Sequence, residues 1–192
     1  MKYDVKTIRE MYHNGTMPEI ILFWGHTTQP RKIRKSCFSQ WYDCRFTADG
    51  VEYHTTEQYM MAQKALLFAD RETCEEIMAA DTPKEYKALG RKVRNFDSAV
   101  WNEHKYDIVL RGNLAKFSQN EPEKAFLLGT GNKVLAEASP YDGIWGIRRG
   151  MDDPEAQNPD RWDGENLLGF ALMETRDLLR EQENAAVQTA AE

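Results

Sequence analysis

The 192 residues are 41% hydrophobic and 29% charged, with a formal net charge of −6 at pH 7. This is ordinary composition for one globular domain, which excludes a disordered or fibrous chain and an all-over basic surface that grips nucleic acid non-specifically. No apolar run approaches the ~20 residues of a membrane span, and Cys37, Cys44 and Cys74 have no metal-ligand spacing, so no membrane, metal or cofactor is expected.

Residues 4–14 read as a short helix ended by Asn14-Gly15, and Glu19–Trp24 as a buried strand stopped by Gly25. A polar, proline-containing loop follows, with a local basic patch over Arg31–Lys35 suited to a solvated loop or to phosphate contact. Tyr42–Thr47 and Val51–His54 form a hairpin around Ala48-Asp49-Gly50. The pattern then turns helical over 56–69, with Thr55 or Thr56 as N-cap, and again over 70–80, 83–92, 98–117 and 121–129. Lys133–Glu137 reads as a strand, and 138–165, rich in Gly, Pro, Asp and Trp, as a long functional loop. An amphipathic helix over 165–181 closes a single domain spanning 1–182, with 183–192 expected to fray. The class is α+β, mostly helical with a few short strands. Met1–Lys6 lacks the apolar core of a secretory signal, and a reduced, cytoplasmic setting is expected.

The helix over 56–69 is apolar almost all round, which marks a buried helix. At ~100° per residue, Glu57, Met61, Lys64 and Phe68 share one stripe, so a carboxylate and an amine lie two turns apart on an apolar face. Either Glu57 caps the helix and Lys64 snorkels out, or both stand on the floor of a cleft. A carboxyl against apolar walls has a raised pKa and donates a proton near neutral pH, which a poor nitrogen leaving group requires.

A second constellation runs from Glu137 through Ser139, Asp142 and Trp145 to Gly146. Glycines let backbone approach a ligand, and an indole offers a face for a base, although a plain turn with a core Trp fits the same pattern. Trp24 and the run Ser39-Gln40-Trp41 flank strand ends in a similar way. There is no GxGxxG fingerprint, P-loop or GxSxG element.

Taken in order, these segments resemble the NADAR (YbiA-like) family. The matching stretches are Cys37–Trp41, Asp49–Tyr53, Thr56–Ala65, Leu89–Arg91, Phe96-Asp97, Trp101, Gly112-Asn113 and Ala115–Phe117. They continue through Glu137–Pro140, Asp142, Ile144–Gly146, Trp162–Gly164 and Asn166–Met173, so the likeness spans residues 20–180. It implies a compact α+β domain and hydrolysis of N-glycosidic bonds, on early intermediates of riboflavin synthesis or on ADP-ribosylated guanine in nucleic acid. Glu57 carries over as the acid–base residue, and Lys64, Arg91, Trp101, Glu137, Asp142 and Trp145 as pocket residues. Two positions depart from the family pattern, Gln58 in place of His and Gln40 in place of Asn, which bears on substrate preference.

Cleaving a ribosyl–nitrogen bond develops positive charge at the anomeric carbon and negative charge on the base. The expected catalytic set is Glu57, Lys64 and Asp142, with Glu137 as the alternative carboxylate partner. Lys64 either holds an anionic or carbonyl oxygen, the favoured role, or captures a ring-opened ribose as an imine. Arg91 and Lys116 are expected on a diphosphate, and Trp145 and Trp24 against a base. Ser39, Gln40, Trp101 and Gly146 complete the expected substrate-binding set. The substrate expected is ADP-ribose on guanine in DNA or RNA. The alternatives are a ribosylated pyrimidine and a silent ADP-ribose-binding module.

Overall fold

The computed structural model describes residues 1–28 and 32–191. Helix α1 spans Val5–His13, capped by Asp4, whose carboxylate accepts from the Thr7 amide at 2.7 Å. Strand β1, Ile20–Phe23, lies parallel to β4, Val134–Glu137, with Phe23 opposite Glu137. Strands β2, Phe46–Ala48, and β3, Val51–Tyr53, form the expected hairpin. Its two-residue turn, Asp49 at φ 51° and Gly50 at φ 79°, needs the left-handed region at both positions, which Asp-Gly tolerates.

Helix α2, Thr56–Leu67, begins at Thr55, whose hydroxyl accepts from the Gln58 amide at 3.1 Å. Its residues 56–62 are all buried, because α3 (Arg71–Ala79), α4 (Pro83–Gly90) and α5 (Ser98–Gln119) pack around it. Helix α6, Glu121–Leu128, leads into β4. Helix α7, Leu167–Ala191, lies directly over β4: a Cβ at Gly169 would fall on the Leu135 carbonyl oxygen. Among the described residues no helix is long and apolar enough to cross a membrane.

Some features differ from the sequence expectation, among them the first hairpin strand, expected from Tyr42 but beginning at Phe46. A 3-10 turn, Lys35–Phe38, stands where a loop was expected, and the long loop contains two more, Pro154–Gln157 and Pro159–Arg161. Helix α7 spans Leu167–Ala191 instead of ending near 181, and in the segment expected to fray Glu183 meets Lys124 at 2.6 Å. Of the expected basic loop, Arg31 lies outside the described residues, and Lys35 opens the first 3-10 turn.

Candidate active site

The stripe on α2 opens into a cleft of about 250 Å³ whose floor includes Glu57, Met61 and Lys64. One wall is the segment Ser39-Gln40-Trp41, which crosses the N-terminus of α2 where the Glu57 amide donates to the Gln40 carbonyl at 2.9 Å. A second wall is α4 and the residues after it, through Lys87, Gly90 and Arg91. The third comes from the end of β4 and its loop, through Glu137, Asp142, Ile144 and Trp145, with Trp101 of α5 closing one end.

Local structure fixes these side chains. The Glu137 backbone is pinned on both sides, its amide donating to Asn166 Oδ1 at 3.0 Å and its carbonyl accepting from Ile147 at 2.9 Å. Asp142 Oδ1 accepts from the amides of Ile144 at 2.9 Å and Trp145 at 2.8 Å, so one carboxylate oxygen is already occupied in shaping the loop. Lys64 Nζ donates to the Gly90 carbonyl at 2.7 Å and lies 4.3 Å from the Phe96 ring centroid and 5.6 Å from that of Trp101.

Burial decides the electrostatics. Glu57 is 3% exposed, and desolvation pushes its carboxyl up to about 7 against the pull of Lys87, a hydrogen bond from Trp41 and Arg91, with Asp142 adding to the rise. Glu137 rises to about 8, from desolvation first and then from Asp142 and Glu57, with Lys87 opposing. Desolvation alone lowers Lys64. Glu57 Oε1, Glu137 Oε2 and Gln40 Oε1 are buried without a hydrogen-bond partner, and all three residues line this one cleft. Buried orphan acceptors in a pocket are sites for ligand hydroxyls or amines. No group of three or more His, Cys, Asp or Glu among the described residues could hold a metal ion.

The two raised carboxyls have a consequence for stability. In the unfolded chain a Glu titrates near 4.5, so between about pH 4.5 and 8 the folded state binds more protons than the unfolded one. Stability must therefore fall as pH rises through that window. Relative to the Glu57→Gln/Glu137→Gln double variant, the wild type should lose roughly a few kcal/mol between pH 5 and pH 8.5 in denaturant unfolding. Parallel pH profiles would show that the carboxyls do not share a dry site.

The cleft gathers nine of the twelve expected residues: Glu57, Lys64, Asp142, Ser39, Gln40, Arg91, Trp101, Glu137 and Trp145. The other three require correction. Trp24 is 51% exposed and off the cleft, one residue past the end of β1. Lys116 is fully buried and meets no cleft; its Nζ donates to the carbonyls of Cys37 at 2.7 Å and Ser39 at 3.3 Å, anchoring the Ser39–Trp41 wall from beneath. Gly146 contributes spacing rather than contact, since a Cβ there would stand 2.7 Å from the Glu137 carbonyl oxygen and 3.1 Å from that of Asp142. Of the two departures, Gln40 lines the cleft, whereas Gln58 binds the His54 amide and the Ile77 carbonyl away from it. Trp41, Lys87 and Ile144 were missed as site residues. Lys87 had one signal, its i,i+4 spacing to Arg91.

A family model described as the NADAR domain matches residues 22–180. N-glycosidase R617 of Acanthamoeba polyphaga mimivirus is 47% identical over 147 residues, covering 73% of this chain and 85% of that one. Protein irg-1 of Caenorhabditis elegans is 35% identical, covering 74% of each chain. The solution structure of the Escherichia coli protein YbiA superposes with a TM-score of 0.70 at 28% identity, covering 87% of this chain and 88% of that one. The same protein, named N-glycosidase YbiA, is 30% identical over 142 residues, covering 74% of this chain and 80% of the other.

Proposed function

The chain belongs to the NADAR domain family, and from that premise we propose that it hydrolyses the N-glycosidic bond joining ADP-ribose to guanine in DNA. In type it is an N-glycosidase, as its relatives are named. The observation that carries the chemistry is the pair of desolvated carboxyls, Glu57 on α2 and Glu137 on β4, each with an unpartnered oxygen in one cleft. Near neutral pH such a pair holds a proton and a negative charge together. The proton goes to the departing nitrogen, and the carboxylate steadies the charge growing on the anomeric carbon.

Glu137 rather than Asp142 serves as the partner of Glu57, since one oxygen of Asp142 is held by the backbone of its own loop. Lys87 and Arg91 supply positive charge on one wall, suited to a diphosphate. Trp145, half-buried at the mouth, offers its ring to a base. Trp145→Ala should raise KM severalfold while costing less than the ~3–5 kcal/mol of a fully buried aromatic. A full stability loss with unchanged KM would make Trp145 a core residue only.

The reading against a riboflavin-pathway substrate is tested by offering both compounds to the same enzyme. Single-stranded DNA carrying ADP-ribosylated guanine and a ribosylaminopyrimidine phosphate are incubated in parallel, with the released sugar and base resolved by chromatography. Release of ADP-ribose at the higher kcat/KM supports the proposal. Turnover of the pyrimidine alone would assign the cleft to the smaller substrate, and turnover of neither would leave a binding module.

A further inference from the structure

Beyond the cleft, on the far side of Trp41, lies a second cavity of about 430 Å³. Among the described residues Trp41 is the one that lines both. Its indole continues into His26, whose ring centroid is 5.4 Å away, so the cavity has an aromatic wall. Asp43 and Asp81 line the cavity as well. Tyr86 completes it: this residue is 0% exposed, yet its hydroxyl has no hydrogen-bond partner among the described residues. A buried hydroxyl left unsatisfied costs stability, and a ligand group that reaches it recovers that cost.

We propose that this cavity is a nucleoside subsite, taking the adenosine half of a substrate whose reactive ribosyl group lies in the cleft. The aromatic wall suits the face of a base. The carboxylates of Asp43 and Asp81 accept from ribose hydroxyls or an exocyclic amine, and the Tyr86 hydroxyl meets a further polar atom. Two carboxylates repel phosphate, and Arg45, which also lines the cavity, is engaged by Glu52 at 3.0 Å, which favours the nucleoside over the phosphates here. Lys87 stands at the junction, 6.0 Å from the Trp41 ring centroid and lining the cleft, where a diphosphate linking the two halves would pass.

The inference rests on the ADP-ribosyl reading of the cleft, and two measurements separate their failures. The first is titration calorimetry with AMP, which needs no turnover. Wild type should bind AMP saturably, and Tyr86→Phe and Asp81→Asn should each weaken it by about fivefold or more, as loss of one buried ligand hydrogen bond does. Tyr86→Phe should melt no lower than wild type, because its hydroxyl bonds to nothing among the described residues.

The second compares guanosine linked to ADP-ribose with guanosine linked to ribose 5-phosphate, so that no flanking nucleotide is present. The KM of the truncated substrate should exceed that of the full one by about tenfold or more, and the ratio should fall toward one in both variants. No saturable AMP binding, or variants that bind AMP like wild type, would overturn the subsite. AMP binding that depends on Tyr86 and Asp81, with ADP-ribosyl guanosine inert, would keep the nucleoside site and overturn the substrate instead.

Discussion

Glu57→Gln should lower kcat by about 10²-fold or more while leaving the protein folded, within the range that a positioned acid–base group supplies. The substitution keeps shape and removes the titrating proton. Its folding cost is small for reasons visible at the site. Glu57 Oε1 has no partner to lose, and the amide oxygen can still accept the hydrogen bond from Trp41. A neutral amide also escapes the desolvation that pushes the Glu57 carboxyl up to about 7, so at alkaline pH the variant should unfold later than wild type. Steady-state kinetics and a melting curve on the same preparation provide the check. A variant with wild-type kcat would remove Glu57 from the mechanism, and one that is inactive because it is unfolded would show up in the melt.

What the sequence disclosed about this fold was mostly local. The apolar run around Glu57 with a Thr before it identifies a buried, capped helix, and Asp49-Gly50 identifies a hairpin, because each signal lies within a few residues. The parallel pairing of β1 with β4 was not legible, since its partners are more than 110 residues apart in register and nothing local specifies them. That pairing carries Glu137 to the cleft, so the preference for Glu137 over Asp142 had to come from the structure. Lys116 illustrates a different limit. An amine in an apolar helix reads as a ligand-binding group, but here two carbonyls of the Cys37–Ser39 segment satisfy it. Lys87 was missed for the opposite reason, since its exposed neighbours Lys84 and Glu85 make α4 look like a solvated face.

Lys64 offers a second chemistry beside the hydrolysis by two carboxyls proposed above. Sequence favoured an ammonium that holds a substrate oxygen, with capture of a ring-opened ribose as an imine the alternative. No ion pair of Lys64 with a carboxylate is present among the described residues, and its donor goes to the Gly90 carbonyl instead. The Phe96 and Trp101 rings attract an ammonium by about 0.5–1 kcal/mol at a partly exposed site. Desolvation acts the other way and lowers the Lys64 pKa. A half-buried lysine with no carboxylate partner gives up its proton more easily, which an amine nucleophile requires. In that chemistry the anomeric carbon exchanges its bond to the base for a bond to Nζ, which gives up a proton to the carboxyl pair and forms a glycosylamine; the ring C–O bond then breaks, the ring oxygen takes the remaining Nζ proton, and the imine results. The base departs with a proton from the Glu57–Glu137 pair, and water then hydrolyses the imine and restores the amine. Borohydride added during turnover should therefore reduce the imine and leave a secondary amine at Lys64, visible as an ADP-ribose-sized mass increment on its peptide. Lys64→Arg keeps the charge but cannot readily form the imine, so kcat should fall by about 10²-fold or more. Lys64→Arg at near wild-type kcat, with no adduct trapped, would return Lys64 to an electrostatic role and leave hydrolysis to water and the two carboxyls.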